Sequence, residues 1–140
     1  MLIAFDANIS PYLAKAISVS NISRDTNVEI IHVDDRYGQG IEDTTWIERF
    51  GTDGGDAFLS FDRHIRTRQA ERQAYIASGL KAIFIGSGWR NLILNQQLAL
   101  LALKWPFILM KIQAMSAGDI CELRVKWKKD GNPDSHFKNL

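Results

Sequence analysis

Three aspartates stand where an α/β chain can gather them. Asp6 follows the apolar run LIAF, Asp62 follows DAFLSF, and Asp43 opens the segment DTTWIERF. The two runs read as buried strands, so Asp6 and Asp62 each leave a strand at its C-terminal end. In parallel sheets ligand sites lie at those ends, near the point where strand order reverses. Asp43, at a helix start after another strand, falls on the same edge. Carboxylates brought together there repel, and their pKa values rise unless a cation neutralises them. An oxygen-only donor set calls for a hard ion, Mg²⁺ or Mn²⁺, held by carboxylates and several waters. Such an ion polarises a phosphodiester and lowers the pKa of a bound water that attacks phosphorus. Asp6, Asp43 and Asp62 are therefore the catalytic and metal-ligating candidates, with Asn8 and Asp34 placed to orient waters. The competing explanation is local: an aspartate in a βα loop also caps a helix, and Asp43 alone is explained as well that way.

Around these carboxylates lies a run of cations. Glu71 sits inside HIRTRQAERQAY, among Arg63, Arg66, Arg68 and Arg72. If the start of that helix overlooks the carboxylates, Arg63, Arg66 and Arg68 are the candidates for holding backbone phosphates. A solvated helix face laced with ion pairs accounts for the same pattern. His32 and His64 have no metal-ligand spacing; His32 reads as a strand residue, and His64 is a substrate contact or a surface group. Gly38, Gly40, Gly54 and Gly55 match no phosphate-loop or dinucleotide fingerprint and read as turn residues.

The elements that must position these groups alternate. Strands are expected over LIAF, VEIIHV (28–33), DAFLSF (56–61) and LKAIFIG (80–86). Ser10 caps a first helix with Pro11 at its first position, where a missing N–H is harmless, and Leu13, Ala14 and Ile17 form its apolar stripe. The segment DRYGQGIED reads as a loop. A second helix runs from about Thr44 with Trp46, Ile47 and Phe50 on one side and Gly51 near its end. A third covers residues 66–78 with Ala70, Ala74 and Ala77 inward, stopped by Gly79. Asn91 is the expected cap of a long helix that Pro106 ends or kinks. ICELRVKW (120–127) alternates cleanly and is expected as a half-exposed strand at a sheet edge. Strands alternating with helices imply right-handed crossovers and a three-layer α/β/α sandwich on a mainly parallel sheet. One domain over residues 1–128 and a polar, mobile tail over 129–140 are expected.

Bulk properties agree with one globular domain: 140 residues, 46% hydrophobic, four tryptophans. No apolar run is long enough for a membrane span, and MLIAFD lacks the basic start of a signal peptide. The single Cys121 excludes an internal disulfide and a cysteine-rich zinc site, and a cytoplasmic location fits best. Net charge is +1, but residues 1–62 carry eleven acidic against four basic side chains and residues 63–140 thirteen basic against five acidic. An acidic half beside a basic half suits a metal pocket next to a polyanion surface, although charge also serves solubility.

The segments FDANISPYLAKAI, EDTTWIERFG and DAFLSFDRHIR, in this order, resemble the PIN-like nucleases, above all the short forms that act as toxins of prokaryotic toxin–antitoxin pairs. The resemblance covers roughly residues 2–90. It implies a PIN-like fold, an acidic cluster binding Mg²⁺ or Mn²⁺, and hydrolysis of RNA. By position, Asp6 matches the first-strand aspartate, Asp43 the helix-start acid and Asp62 the aspartate after the later strand. A fourth acidic ligand is common in the family; directly after Asp62 stand only Arg63 and His64, so Glu71 or Asp56 has to serve. The resemblance also implies a protein antitoxin that covers the acidic pocket, and a homodimer.

Three rivals share some of these features. A phospho-accepting receiver domain also uses paired acids, here Asp34 and Asp35, and a strand-terminal Asp62, but IFIGSGW supplies no lysine after the later strand. A phosphatase with an aspartate nucleophile needs a second aspartate two residues on, where this chain has Asn8. A nucleic-acid-binding or protein-interaction module with a decayed acidic site would use the basic half, including Lys126, Lys128 and Lys129, with Trp89 and Trp127 as stacking platforms. Metal-dependent cleavage separates it from the nuclease.

Overall fold

The computed structural model describes residues 1–20, 27–129 and 131–140. Its centre is a six-stranded sheet in the order β2-β1-β3-β4-β5-β6, formed by β1 (Leu2–Phe5), β2 (Glu29–His32), β3 (Ala57–Ser60), β4 (Lys81–Ile85), β5 (Ile120–Leu123) and β6 (Phe137–Asn139). All pairings are parallel except β5 with β6. The chain steps outward from β1 to β2 and then returns across β1 to β3, so strand order reverses between β1 and β3. A crevice at the carboxyl ends of these two strands is the expected ligand position.

Side-chain alternation sorts the strands' residues into two cores. Ile3, Phe5, Ala57, Leu59, Ile83, Ile85, Cys121 and Leu123 pack under α1 (Pro11–Val19) and the C-terminal helix. Ala4, Phe58, Ala82 and Phe84 face the other way, onto Trp46, Ile47, Phe50, Ala74 and Tyr75. Those residues belong to α3 (Asp43–Thr52) and α4 (Gln69–Ala77). Strands buried on both faces explain why they read as continuous apolar runs. The result is the expected three-layer sandwich. Ser10 caps α1 by accepting the Tyr12 N–H at 3.3 Å, with Pro11 at the first position. Gly51 lies within α3, where a Cβ would stand 2.5 Å from Ser78 Cβ; its absence lets α3 close on the end of α4.

Several expectations are corrected. The start of the expected loop, Asp35 to Tyr37, is instead, with Asp34, part of a one-turn helix, α2 (Val33–Tyr37), directly after β2. Residues Arg63–Arg66 form a separate 3₁₀ turn, so α4 starts only at Gln69, and Ala74 and Tyr75 face inward while Ala70 and Ala77 are exposed. The long helix, α5 (Leu94–Ala114), begins after Asn91, where Gln96 Oε1 accepts the Ile93 N–H at 3.1 Å, and runs through Pro106 without a break. Pro106 lies on its exposed side.

The alternating segment 120–127 is a strand only to Leu123, and it is interior rather than edge. The tail covers it: Phe137–Asn139 pair antiparallel with β5, and Arg124 N–H donates to the His136 carbonyl at 2.9 Å. His136 is fully buried, stacked on Phe107 with ring centroids 4.3 Å apart. Lys104 on α5, also fully buried, donates to the Lys126 carbonyl at 2.6 Å and meets His136 Nδ1 at 3.1 Å. Most of the tail is thus an edge strand and its anchor; Asp130 lies outside the described residues.

Candidate active site

Asp6 is the buried centre of the crevice between β1 and β3, only 3% exposed. Its Oδ1 accepts the Ala7 N–H at 2.6 Å, and its Oδ2 accepts from Ser60 Oγ at 2.5 Å and Asn8 Nδ2 at 3.0 Å. Ser60 is the last residue of β3, and the same hydroxyl accepts the Asp62 N–H at 2.9 Å and Asn8 Nδ2 at 3.2 Å. Asn8 Oδ1 takes the Phe61 N–H at 3.0 Å. The ends of the two central strands are therefore laced together around one carboxylate.

Burial pushes that carboxyl up from 3.8 to about 6. The Ser60 hydrogen bond and the Ala7 amide oppose the shift, and the charges of Asp43 and Asp62 add to it. A buried carboxylate beside two others lacks a sufficient counter-charge.

Asp43 is the first residue of α3, and its Oδ1 accepts the Trp46 indole N–H at 3.1 Å. Asp62 caps the 3₁₀ turn, its Oδ1 accepting the His64 N–H at 2.8 Å. Both have the capping or turn-holding bonds that the local explanation foresees, yet each keeps its Oδ2 toward a shared cation. Arg68 Nη1 lies 3.9 Å from Asp43 Oδ2, 3.7 Å from Asp62 Oδ2 and 3.5 Å from Glu71 Oε1. The crevice thus brings together Asp6, Asp43, Asp62 and Glu71, with Asn8 bonded to the first.

Asp56 and Asp34 are not brought in. Asp56 precedes β3, at the opposite edge of the sheet from Asp62, where it accepts the Leu2 N–H at 2.7 Å. The strand between them separates the two acids by on the order of 15 Å. Asp34 sits in α2, at the end of the edge strand β2, where its carbonyl accepts the Gly38 N–H; none of its contacts among the described residues is with the cluster.

The basic residues divide. Arg68 is among the carboxylates. Arg63 pairs with Glu122 of β5 at 2.9 Å, and Arg66 lies toward Tyr75 on α4. Beside Asp62 a cleft of about 160 Å³ is lined by Arg63, His64, Ser87 and Arg90, with Arg90 Nη2 donating to the Phe61 carbonyl at 3.4 Å.

Ser60 and Arg90 escaped the sequence reading. Ser60 had a signal, a hydroxyl inside an apolar strand that has to find a partner. Arg90 had none, since only packing brings the turn after β4 to Asp62.

Among the described residues no three His, Cys, Asp or Glu side chains are already arranged to hold a metal ion. The donor chemistry nevertheless fits a hard divalent cation: every candidate ligand is a carboxylate oxygen, and a positive group already stands among three of them.

Neither the curated proteins nor the solved structures contain a match to the chain. Among the described residues no helix is long and apolar enough to cross a membrane. The profile of the PIN-like domain family matches residues 1–87, which hold β1 to β4 and all four clustered acids. That match spans more than half of the chain, and with a mainly parallel sheet under helices on both faces it assigns this protein to the PIN-like domain family, whose members are generally nucleases.

Proposed function

We propose that the protein is a metal-dependent endoribonuclease acting in the cytoplasm as the toxin of a toxin–antitoxin pair. The observation that carries the catalytic part is the convergence of Asp43, Asp62 and Glu71 around a single cationic group at the β1/β3 crevice, beside the buried Asp6 whose pKa the charges of Asp43 and Asp62 raise. The toxin role, a protein antitoxin over the acidic pocket and a homodimer rest on the resemblance of the N-terminal segments to short PIN-like toxins.

Asp6, Asp43 and Asp62 would hold Mg²⁺ or Mn²⁺, with Glu71 as the fourth acid in place of Asp56. When bound, such an ion supplies Lewis-acid polarisation of the phosphodiester and an acidified water. The rest falls to the chain. Ser60 and Asn8 fix the Asp6 carboxylate, so its oxygens need no reorganisation. The Trp46 indole and the His64 amide each hold one oxygen of Asp43 and Asp62 and leave the other toward the shared position. The cleft with Arg63, His64 and Arg90 opens directly beside Asp62 and suits a backbone phosphate next to the scissile one.

The second reading, an RNA-binding or interaction module on the same fold, is favoured by the spacing of the carboxylates, which have not closed to ligating geometry. One experiment separates the two. Purified protein, Asp6→Asn and Asp62→Asn are incubated with a mixed-structure RNA pool in Mn²⁺, Mg²⁺ or EDTA. Metal-dependent cutting by the wild type alone is the expected result. No cutting, together with no calorimetric Mn²⁺ binding, sinks the nuclease and leaves the module.

A further inference from the structure

Arg68 is placed as no ordinary surface arginine is. One guanidinium nitrogen reaches carboxylates from three separate elements: the start of α3, the cap of the 3₁₀ turn after β3 and the first turn of α4. None of the three distances, 3.5 to 3.9 Å, is a hydrogen bond by ordinary N–H···O criteria. The pair formed by Arg63 and Glu122, at 2.9 Å, shows what a committed arginine–carboxylate contact looks like in this molecule. Arg68 instead serves as a diffuse counter-ion for the cluster, and its side chain is half exposed, at 52%. Its backbone fixes the base of the side chain at the junction between the 3₁₀ turn and α4, where the Arg72 N–H donates to the Arg68 carbonyl at 3.0 Å. The guanidinium is thus tethered beside the cluster but not clamped in it.

We infer that Arg68 and a divalent cation compete for the same carboxylates, so that Arg68 is a positioning residue that sets the metal affinity of the crevice. The inference rests on the metal-binding reading above. Without metal the guanidinium limits repulsion among Asp43, Asp62 and Glu71 and keeps them near one point. A doubly charged ion neutralises those carboxylates better than a single half-solvated guanidinium, which then leaves. The freed side chain stays at the mouth of the crevice, where the proposed substrate presents phosphate.

The test is calorimetric titration of Mn²⁺ into the full chain stripped with EDTA, compared with Arg68→Gln, Arg68→Lys, Arg72→Gln and Asp62→Asn. Arg72 lies one turn further along α4, beside Tyr75 and outside the cluster, and controls for overall charge. Removing the competitor is expected to tighten Mn²⁺ binding about tenfold in Arg68→Gln. Arg68→Lys, which keeps the charge, should stay within about twofold of wild type, as should Arg72→Gln. Thermal melts guard against misfolding: metal-free Arg68→Gln should melt cooperatively, below wild type, and gain more from Mn²⁺ than wild type does. Unchanged or weaker binding in Arg68→Gln overturns the inference, as does equal tightening in Arg72→Gln. If wild type binds, Asp62→Asn does not, and Arg68→Gln matches wild type, only the role of Arg68 is lost. If neither wild type nor Arg68→Gln binds Mn²⁺, the metal-binding reading falls with it.

Discussion

Ser60 donates its hydroxyl to Asp6 Oδ2 at 2.5 Å while its own Oγ accepts the Asp62 N–H at 2.9 Å. One side chain therefore sets the distance between two acids that lie 56 positions apart in the chain. Replacing Ser60 by Ala leaves the Asp62 amide without its acceptor and Asp6 without its shortest donor. Ser60→Ala is expected to lose about 1–3 kcal/mol of stability. Because the Ser60 bond lowers the Asp6 pKa, its loss moves that pKa further up. Mn²⁺ affinity should fall by about tenfold, as is usual when a partner of a ligand is removed. Denaturant titration and calorimetry measure the first and last of these. A variant with wild-type stability and affinity would show that Ser60 does not organise the site.

The Asp6 shift also sets a pH dependence for the metal-free protein. The folded pKa, about 6, lies above the ordinary 3.8, so the native state binds more protons than the unfolded chain between these values. Stability from this group is therefore greatest below about pH 4 and is lost as pH rises through 6. The full change is on the order of 3 kcal/mol, at about 1.4 kcal/mol per unit. In EDTA, Asp6→Asn should remove that downward component from a plot of stability against pH between 4 and 6.5. Parallel curves for the two proteins would contradict it.

At the opposite flank of the sheet, Lys104 anchors the tail. Its Nζ donates to the Lys126 carbonyl and contacts His136, and burial lowers its pKa to about 8. Lys104→Met keeps the volume but removes the donor. The expected outcome is faster hydrogen exchange across the β5–β6 pairing, at Glu122, Arg124 and Lys138, with slow exchange retained in β1 and β3. Uniform acceleration across the sheet would mean that the anchor supports the whole fold instead.

Arg90 borders the cleft beside Asp62. If that cleft carries a backbone phosphate, Arg90→Gln weakens single-stranded RNA binding in EDTA and reduces the salt slope by about one. The Phe61 carbonyl that Arg90 contacts is at the surface and keeps water as a partner, so folding should hold. Filter binding over a salt series measures the slope; an unchanged slope removes Arg90 from the interface.

The sequence by itself determined the repeating βα order, the two-sided burial of β1, β3 and β4, the cap at Ser10, and carboxylates at the ends of β1 and β3. These are local properties. Alternation, a cap and a strand end are written within a few residues of each other, and the parallel rule then puts Asp6, Asp43 and Asp62 on one edge. Tertiary structure decided what depends on distance between segments. It placed Glu71, and not Asp56, beside the other carboxylates, because a strand's length separates its two ends while a helix start returns to the same edge. It placed Arg68 among three carboxylates, and it tied Ser60 to a partner 54 residues away. It also turned a polar tail into the edge strand β6, since an interior β5 needs both neighbours and the alternation of ICEL does not say which segment supplies the second. Short-range sterics and hydrogen bonding are legible along a chain. Which groups from distant segments share a crevice is set by how layers pack.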